Sequence, residues 1–158
     1  MKQDDQVIRA SILDRLVDRE PGVSHEPVQF RFFSLGQIKA SVARDLENLL
    51  NTKRHILVPP AAYKEVHNSV FVYGLRDFTS LNPKALSVRQ ELRQDIERTI
   101  ARFEPRLKNV LVRLESPSHN DRNLRFRISG LLVAEPFMES VTFDTYFDVN
   151  RGEYVISK

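Results

Sequence analysis

The sequence predicts an α+β fold in which helices pack on one face of a C-terminal antiparallel β-meander. Three observations carry this reading. Apolar residues recur at three- and four-residue intervals as far as Phe103, Pro105 interrupts the pattern, and beyond it apolar and polar residues alternate in runs joined by turn-rich stretches. Helices followed by hairpin-linked strands form two layers around one core.

At the N-terminus Ile8, Ile12, Leu13 and Leu16 stand at helical spacing, and Glu20, Pro21 and Gly22 end that helix. Residues 1–23 are therefore read as an N-terminal docking helix or arm and residues 24–158 as a single α+β domain, entered through an extended stretch over 24–31 that holds Pro27 and shows no period. Ser34 followed by Gln37 is a capping-box signature, in which the first side chain and the third residue's side chain satisfy each other's backbone N–H. After it Leu35, Ile38, Val42, Leu46 and Leu49 form an apolar stripe through Leu50. Asn51 suits a left-handed cap, and Lys53 and Arg54 suit the negative end of a helix.

Tyr63, Val66, Val70 and Tyr73 recur at helical intervals before Gly74, which favours a short helix, although Val70, Phe71, Val72 and Tyr73 also form strands well. Ser87 with Gln90 is read as a second capping box, ahead of the repeat Val88, Leu92, Ile96, Ile100 and Phe103. Proline disfavours the α conformation in the residue before it, so Glu104 turns extended and a strand starts at Arg106 or Leu107. Val110, Val112 and Leu114 alternate with polar neighbours; so do Leu124, Phe126 and Ile128, then Val141, Phe143, Thr145 and Phe147, and finally Tyr154 and Ile156. The joints over 116–123, 135–139 and 150–152 are short enough for a meander. Gly130, inside a strand pattern, marks a bulge or a close backbone approach.

Composition narrows the function classes. The 158 residues contain no cysteine, which removes disulfides and thiolate ligands and fits the cytoplasm. No apolar run reaches membrane-spanning length, and residues 1–7 lack the apolar stretch of a secretory signal. Lys and Arg number 24 against 21 Asp and Glu, with the signs interleaved rather than gathered on one face. Arg122, Arg125 and Arg127 make only one short basic patch, so no nucleic-acid partner is expected. His25, His55, His67 and His119 show no metal-ligand spacing, no glycine-rich phosphate loop is present, and neither metal nor cofactor is expected.

Glu97 and Glu104 are the one pair of carboxylates worth weighing for acid–base chemistry. On a helix continued to Glu104 they stand roughly 10 Å apart along the axis, longer than a retaining glycosidase uses. The alternative function is a peptidoglycan hydrolase with Glu104 as general acid, but nothing in the sequence supplies the apolar pocket such an acid needs. No catalytic residue is assigned. Glu104 also opposes the helix dipole by roughly 0.3–1 kcal/mol, so something should compensate it. Two readings stay open: a local ion pair with Arg102 or Arg106, or a rigid corner in which Pro105 fixes Glu104 and Arg106 for display to a partner.

Four stretches in order resemble one family: residues 11–21 (SILDRLVDREP), 45–52 (DLENLLNT), 69–78 (SVFVYGLRDF) and 103–107 (FEPRL). Followed by a strand meander, they resemble the type VI secretion system baseplate subunit family TssE, similar to the lysozyme-like-named wedge proteins of contractile phage tails. Lys53 stands where the family usually has arginine, and residues 57–62 match no family pattern. The resemblance implies a structural baseplate subunit, not an enzyme, whose partners are the other wedge subunits and the contractile sheath. It implies wedge binding at Glu104, Pro105 and Arg106. The sheet is similar to the interlocking part of sheath subunits, which makes Tyr154, Val155 and Ile156 a candidate sheath-docking edge; the plainer reading is that Tyr154 and Ile156 finish the core.

Overall fold

A computed structural model of the chain describes residues 8–17, 21–22, 32–78, 85–115, 124–148 and 150–157. The stretch read as extended over 24–31 and the joint over 116–123, with Arg122 and His119, lie outside the described residues. In chain order the elements are β1 (Ile8–Arg9), α1 (Ile12–Leu16), β2 (Phe32–Phe33), α2 (Leu35–Asn51), α3 (Lys64–His67), a 3-10 turn (Val70–Val72), α4 (Leu86–Phe103), β3 (Leu107–Leu114), β4 (Leu124–Ala134), β5 (Phe137–Asp148) and β6 (Glu153–Ser157). The α+β class and its order, helices first and strands after, are as the periodicity predicts.

The last four strands form an antiparallel meander in the order β3-β4-β5-β6. Alternation sets its two faces: Val141, Phe143 and Thr145 of β5 are buried while Thr142 and Asp144 between them are exposed. Buried side chains of α2 and α4 join this inner face in one apolar cluster, with Leu46, Ile96, Ile100 and Ile128 among its fully enclosed members. Each such side chain contributes about 1.5–3 kcal/mol by leaving water.

The capping box at the start of α2 is complete. Gln37 N donates to Ser34 Oγ at 3.3 Å and Ser34 N donates to Gln37 Oε1 at 2.8 Å. The second capping box is not formed: α4 begins one residue before Ser87, after Ala85, which offers no capping side chain. Leucine and serine both tolerate the first turn, so the helix can begin at Leu86, which is exposed, with Ser87 inside it. Asn51 is not a left-handed cap either. Thr52, extended, closes α2, and Asn51 turns its amide to β6 instead.

Two further expectations change. Ile8 belongs to β1, paired with Phe33 of β2, and is buried, whereas Ile12, Leu13 and Leu16 of α1 point outward, so the four are not one helical face. The stretch from Tyr63 to Tyr73 breaks into the four-residue α3 and the 3-10 turn. Gly74 then carries φ +97°, and a Cβ there would stand 2.2 Å from Thr52 O. The glycine lets residues 74–75 lie against the end of α2, where Leu75 N donates to Thr52 O at 2.9 Å and Arg54 N to Leu75 O at 2.7 Å.

The close approach read at Gly130 is present, and its cause is a bulge on the opposite strand. Asn109 and Val110 of β3 face Gly130 alone, because the register moves from Lys108↔Leu131 to Leu111↔Ser129. Asn109 takes a left-handed φ of 53°, and a Cβ on Gly130 would meet Lys108 O at 3.2 Å.

Candidate functional site

The turn from α4 into β3 carries Glu104, which with Asp14 makes up the buried charged residues among those described. Glu104 N still donates to Ile100 O at 2.9 Å, but Pro105 ends the helix and Glu104 takes φ −119°, as a residue before proline should. That conformation folds the Glu104 carboxylate back over Arg106. Arg106 Nε donates to Glu104 Oε1 at 2.7 Å and Nη2 donates to Oε2, while Arg106 N also reaches Oε1 at 3.2 Å. Glu104 is only 4% exposed. The local ion pair read from the sequence therefore forms with Arg106, though in the interior rather than at the surface, and it compensates the charge at the helix end.

Arg106 is shared. Its Nη2 lies 2.6 Å from Asp45 Oδ2 and its Nη1 lies 3.3 Å from Ser41 Oγ, both on α2. Asp45 Oδ1 in turn accepts from Arg44 Nη2 at 2.8 Å, and Arg44 Nη2 sits 2.9 Å from Asp14 Oδ1 on α1, an ion pair by distance without an aligned hydrogen bond. Asp14 Oδ2 accepts from Ser11 Oγ at 2.6 Å and from Ser41 Oγ at 2.7 Å. Carboxylates and guanidiniums thus alternate from Glu104 through Arg106, Asp45 and Arg44 to Asp14, tying α1, α2 and the corner together.

The electrostatics follow from that alternation. Burial pushes the Asp14 carboxyl up, but the hydrogen bonds from Ser11 and Ser41 together with the nearby Arg44 charge outweigh burial and hold it below its ordinary value. Arg44 is raised by its hydrogen bond to Asp45, against burial, and by Asp14. Burial works against the charge of Arg106, yet Glu104 and Asp45 together raise it above its ordinary value. Tyr73 stands close enough that burial, then the negative charges of Asp45 and Glu104, push its hydroxyl up. Its ring packs edge-on against Phe103 with centroids 5.1 Å apart. Asp14, Asp45, Tyr73 and Glu104 come from the four stretches that carry the family resemblance, so stretches far apart in sequence meet at one place.

Neither carboxylate weighed for catalysis is free. Both oxygens of Glu104 accept from Arg106, and Glu97 accepts from Arg93 at 3.1 Å and from Val112 N at 2.9 Å. Among the described residues no three His, Asp or Glu side chains gather as a metal site. No helix among them is long and apolar enough to cross a membrane. Arg127 of the basic patch is engaged by Asp144 at 2.6 Å and lies 3.9 Å from Glu115.

The last strand is an edge of the sheet, and its outer side is covered. Asn51 Nδ2 donates to Tyr154 O at 2.9 Å, Tyr154 N donates to Asn51 Oδ1 at 2.7 Å, and Ile156 N donates to Glu47 Oε1 at 2.9 Å. Val155 lies between them, opposite Tyr146 of β5. Ile156 is buried in the core cluster and Tyr154 packs on it, its ring 5.9 Å from Phe126 and 4.9 Å from Phe147. Burial, then the charges of Asp95 and Asp77, push the Tyr154 hydroxyl up to about 12. Two side chains of α2 thus occupy backbone groups along this edge, because backbone groups beside a core need polar partners.

Sequence reasoning missed Asp14, Ser41, Arg44, Asp45, Glu47 and Asn51. A signal existed for two of them: Ser41 and Asp45 interrupt the apolar stripe of α2 at the spacing of Ile38, Val42, Leu46 and Leu49. At Lys53, where the resemblance leads to arginine, the ammonium pairs with Asp77 at 2.9 Å, and the neighbouring Arg54 pairs with Asp95 of α4 at 2.8 Å.

No curated protein sequence matches the chain. The family model described as baseplate wedge protein gp25 matches residues 36–136, from the second residue of α2 to the turn between β4 and β5. That span includes the whole corner and covers well over half of the chain, which accordingly belongs to the baseplate wedge protein gp25 family.

Proposed function

We propose that the chain is a structural baseplate component of a type VI secretion system, a contractile injection machine, where it joins the wedge subunits and docks the contractile sheath. The family supports a structural role in a baseplate. The observation that carries the finer reading is the convergence of the four resembling stretches on one partly buried alternation of charge, in which every ionised group named has a charged partner within the chain. Such a network fixes the relative positions of three elements and leaves no group ready to exchange a proton with a substrate.

Wedge binding at Glu104, Pro105 and Arg106 works through position. Glu104 and Arg106 neutralise each other and hold the turn, and the exposed Pro105 meets the neighbouring subunit. Sheath docking at Tyr154, Val155 and Ile156 proceeds by exchange: an incoming strand takes over the backbone groups now held by Asn51 and Glu47. The number of hydrogen bonds changes little, so docking there is readily reversed. The work is done in the cytoplasm, without nucleic acid, cofactor or membrane insertion.

Affinity purification of the wedge with wild-type chain and with Glu104→Gln and Arg106→Glu tests this reading. Wild type should co-purify with the other wedge subunits, both variants should be depleted, and purified chain should leave a cell-wall suspension turbid. Clearing of the suspension by wild type but not by Glu104→Gln overturns it in favour of a hydrolase.

A further inference from the structure

The helix α1 is built inside out. A surface helix ordinarily turns its apolar residues to the core and its polar ones to water. Here Asp14 is 5% exposed, while Ile12, Leu13 and Leu16 are 70%, 54% and 77% exposed. The arrangement is held in place from both ends of the segment. Ile8 and Ala10 are buried in the core, β1 pairs with β2, and Ser11 caps α1 by accepting from Asp14 N at 3.1 Å. Asp14 is then bonded to Ser41 and paired with the half-buried Arg44, so the polar side of α1 cannot turn outward without breaking that hydrogen bond and ion pair.

We infer that α1 is a docking helix whose outward stripe, Ile12, Leu13 and Leu16, receives an amphipathic helix of another wedge subunit, one that carries a carboxylate beside its apolar face. The inference rests on the reading of the chain as a wedge component. Positions i, i+1 and i+4 form a short ridge of the kind that packs into the groove of a facing helix. Arg15 borders the stripe, is exposed, and has no side-chain partner among the described residues, which sets the sign of the charge across from it. A second copy of the chain fits poorly. Three side chains offer an area on the order of a few hundred Å², against roughly 800 Å² per partner in a stable dimer. An antiparallel pairing of the stripe with itself also sets Arg15 against Arg15.

The test places the photo-cross-linker benzoylphenylalanine at Leu16 in the full chain, irradiates assembled particles, and identifies the joined peptides by mass spectrometry. Leu16→Glu is followed in parallel, with thermal unfolding of the purified variant as a check that it folds. The expected result is a cross-link to an apolar, Asp- or Glu-bearing helical stretch of another wedge subunit, and a loss of Leu16→Glu from particles of about tenfold or more. Cross-links confined to the chain itself, to a second copy or to lipid overturn the inference, as does full incorporation of a folded Leu16→Glu chain. Particles that lack wild-type chain altogether overturn the wedge reading as well, whereas particles that hold it without a cross-link to another subunit overturn this inference alone.

Discussion

Arg106 donates from both Nε and Nη2 to the carboxylate of Glu104, across the single proline that separates them. Two charges enclosed together in this way depend on each other far more than an exposed pair does. Removing one partner of a buried pair costs about 3–5 kcal/mol, because the other is left uncompensated. Arg106→Met should therefore lower stability by about that amount in urea unfolding. Adding Glu104→Gln to it should restore a large part of the loss, since the stranded charge is then gone.

Asp14 makes stability depend on acidity. Its folded carboxyl is held below the ordinary value, so between the folded and unfolded values the unfolded chain binds more protons and stability rises with pH. The contribution is complete above the unfolded value of roughly 4 and disappears as pH falls through the folded one. Amide exchange at residues 10–16 should accelerate, relative to the core, as the medium passes below about pH 4. In Asp14→Asn that acid-dependent component should vanish, and the same amides should already exchange faster at neutral pH.

Two glycines with positive φ separate backbone strain from collision. Gly152, at φ +69°, has nothing within 4 Å of a Cβ, so Gly152→Ala should cost about 1–2 kcal/mol for the left-handed conformation alone. Gly74→Ala meets the same conformational penalty and also drives a Cβ to 2.2 Å from Thr52 O. Its cost should exceed that of Gly152→Ala by at least about 1 kcal/mol in the same denaturation assay.

The two serines read as caps should behave differently. Ser34→Ala removes a bonded cap and should destabilise by about 1 kcal/mol. Ser87 lies within α4, where alanine is the better helix former, so Ser87→Ala should be neutral or stabilise by a few tenths of a kcal/mol. Thermal midpoints of the two variants compare them directly.

The strand half of the fold was legible because its signal is local: alternation on each side of a short turn places β3 through β6, and Pro105 marks where helix gives way to strand. The family resemblance is borne out by the match over residues 36–136, which holds three of the four short stretches. The partners of Glu104 and Arg106 were only half legible. Arg106 lies two residues away and was named, but Asp45 lies 61 positions off, and no periodicity predicts that a loop and a helix will meet. Ser87 and Gln90 have the spacing of a cap, yet α4 begins at Leu86 and takes Ser87 into its first turn, a one-residue shift that spacing alone does not reveal. In α1 the spacing of Ile12, Leu13 and Leu16 gives a face but not its direction; that is decided by Asp14, whose buried partners belong to α2.

Both outer strands of the meander have a backbone N–H held by a glutamate from a helix: Val112 by Glu97 on one flank and Ile156 by Glu47 on the other. A row of vacant N–H and C=O groups is an invitation for identical chains to stack without limit. A subunit that must wait for its neighbours gains from having those positions filled by its own side chains. Anything that joins the sheet has first to outcompete a tethered carboxylate, which selects against casual self-association and in favour of a partner that brings further contacts of its own.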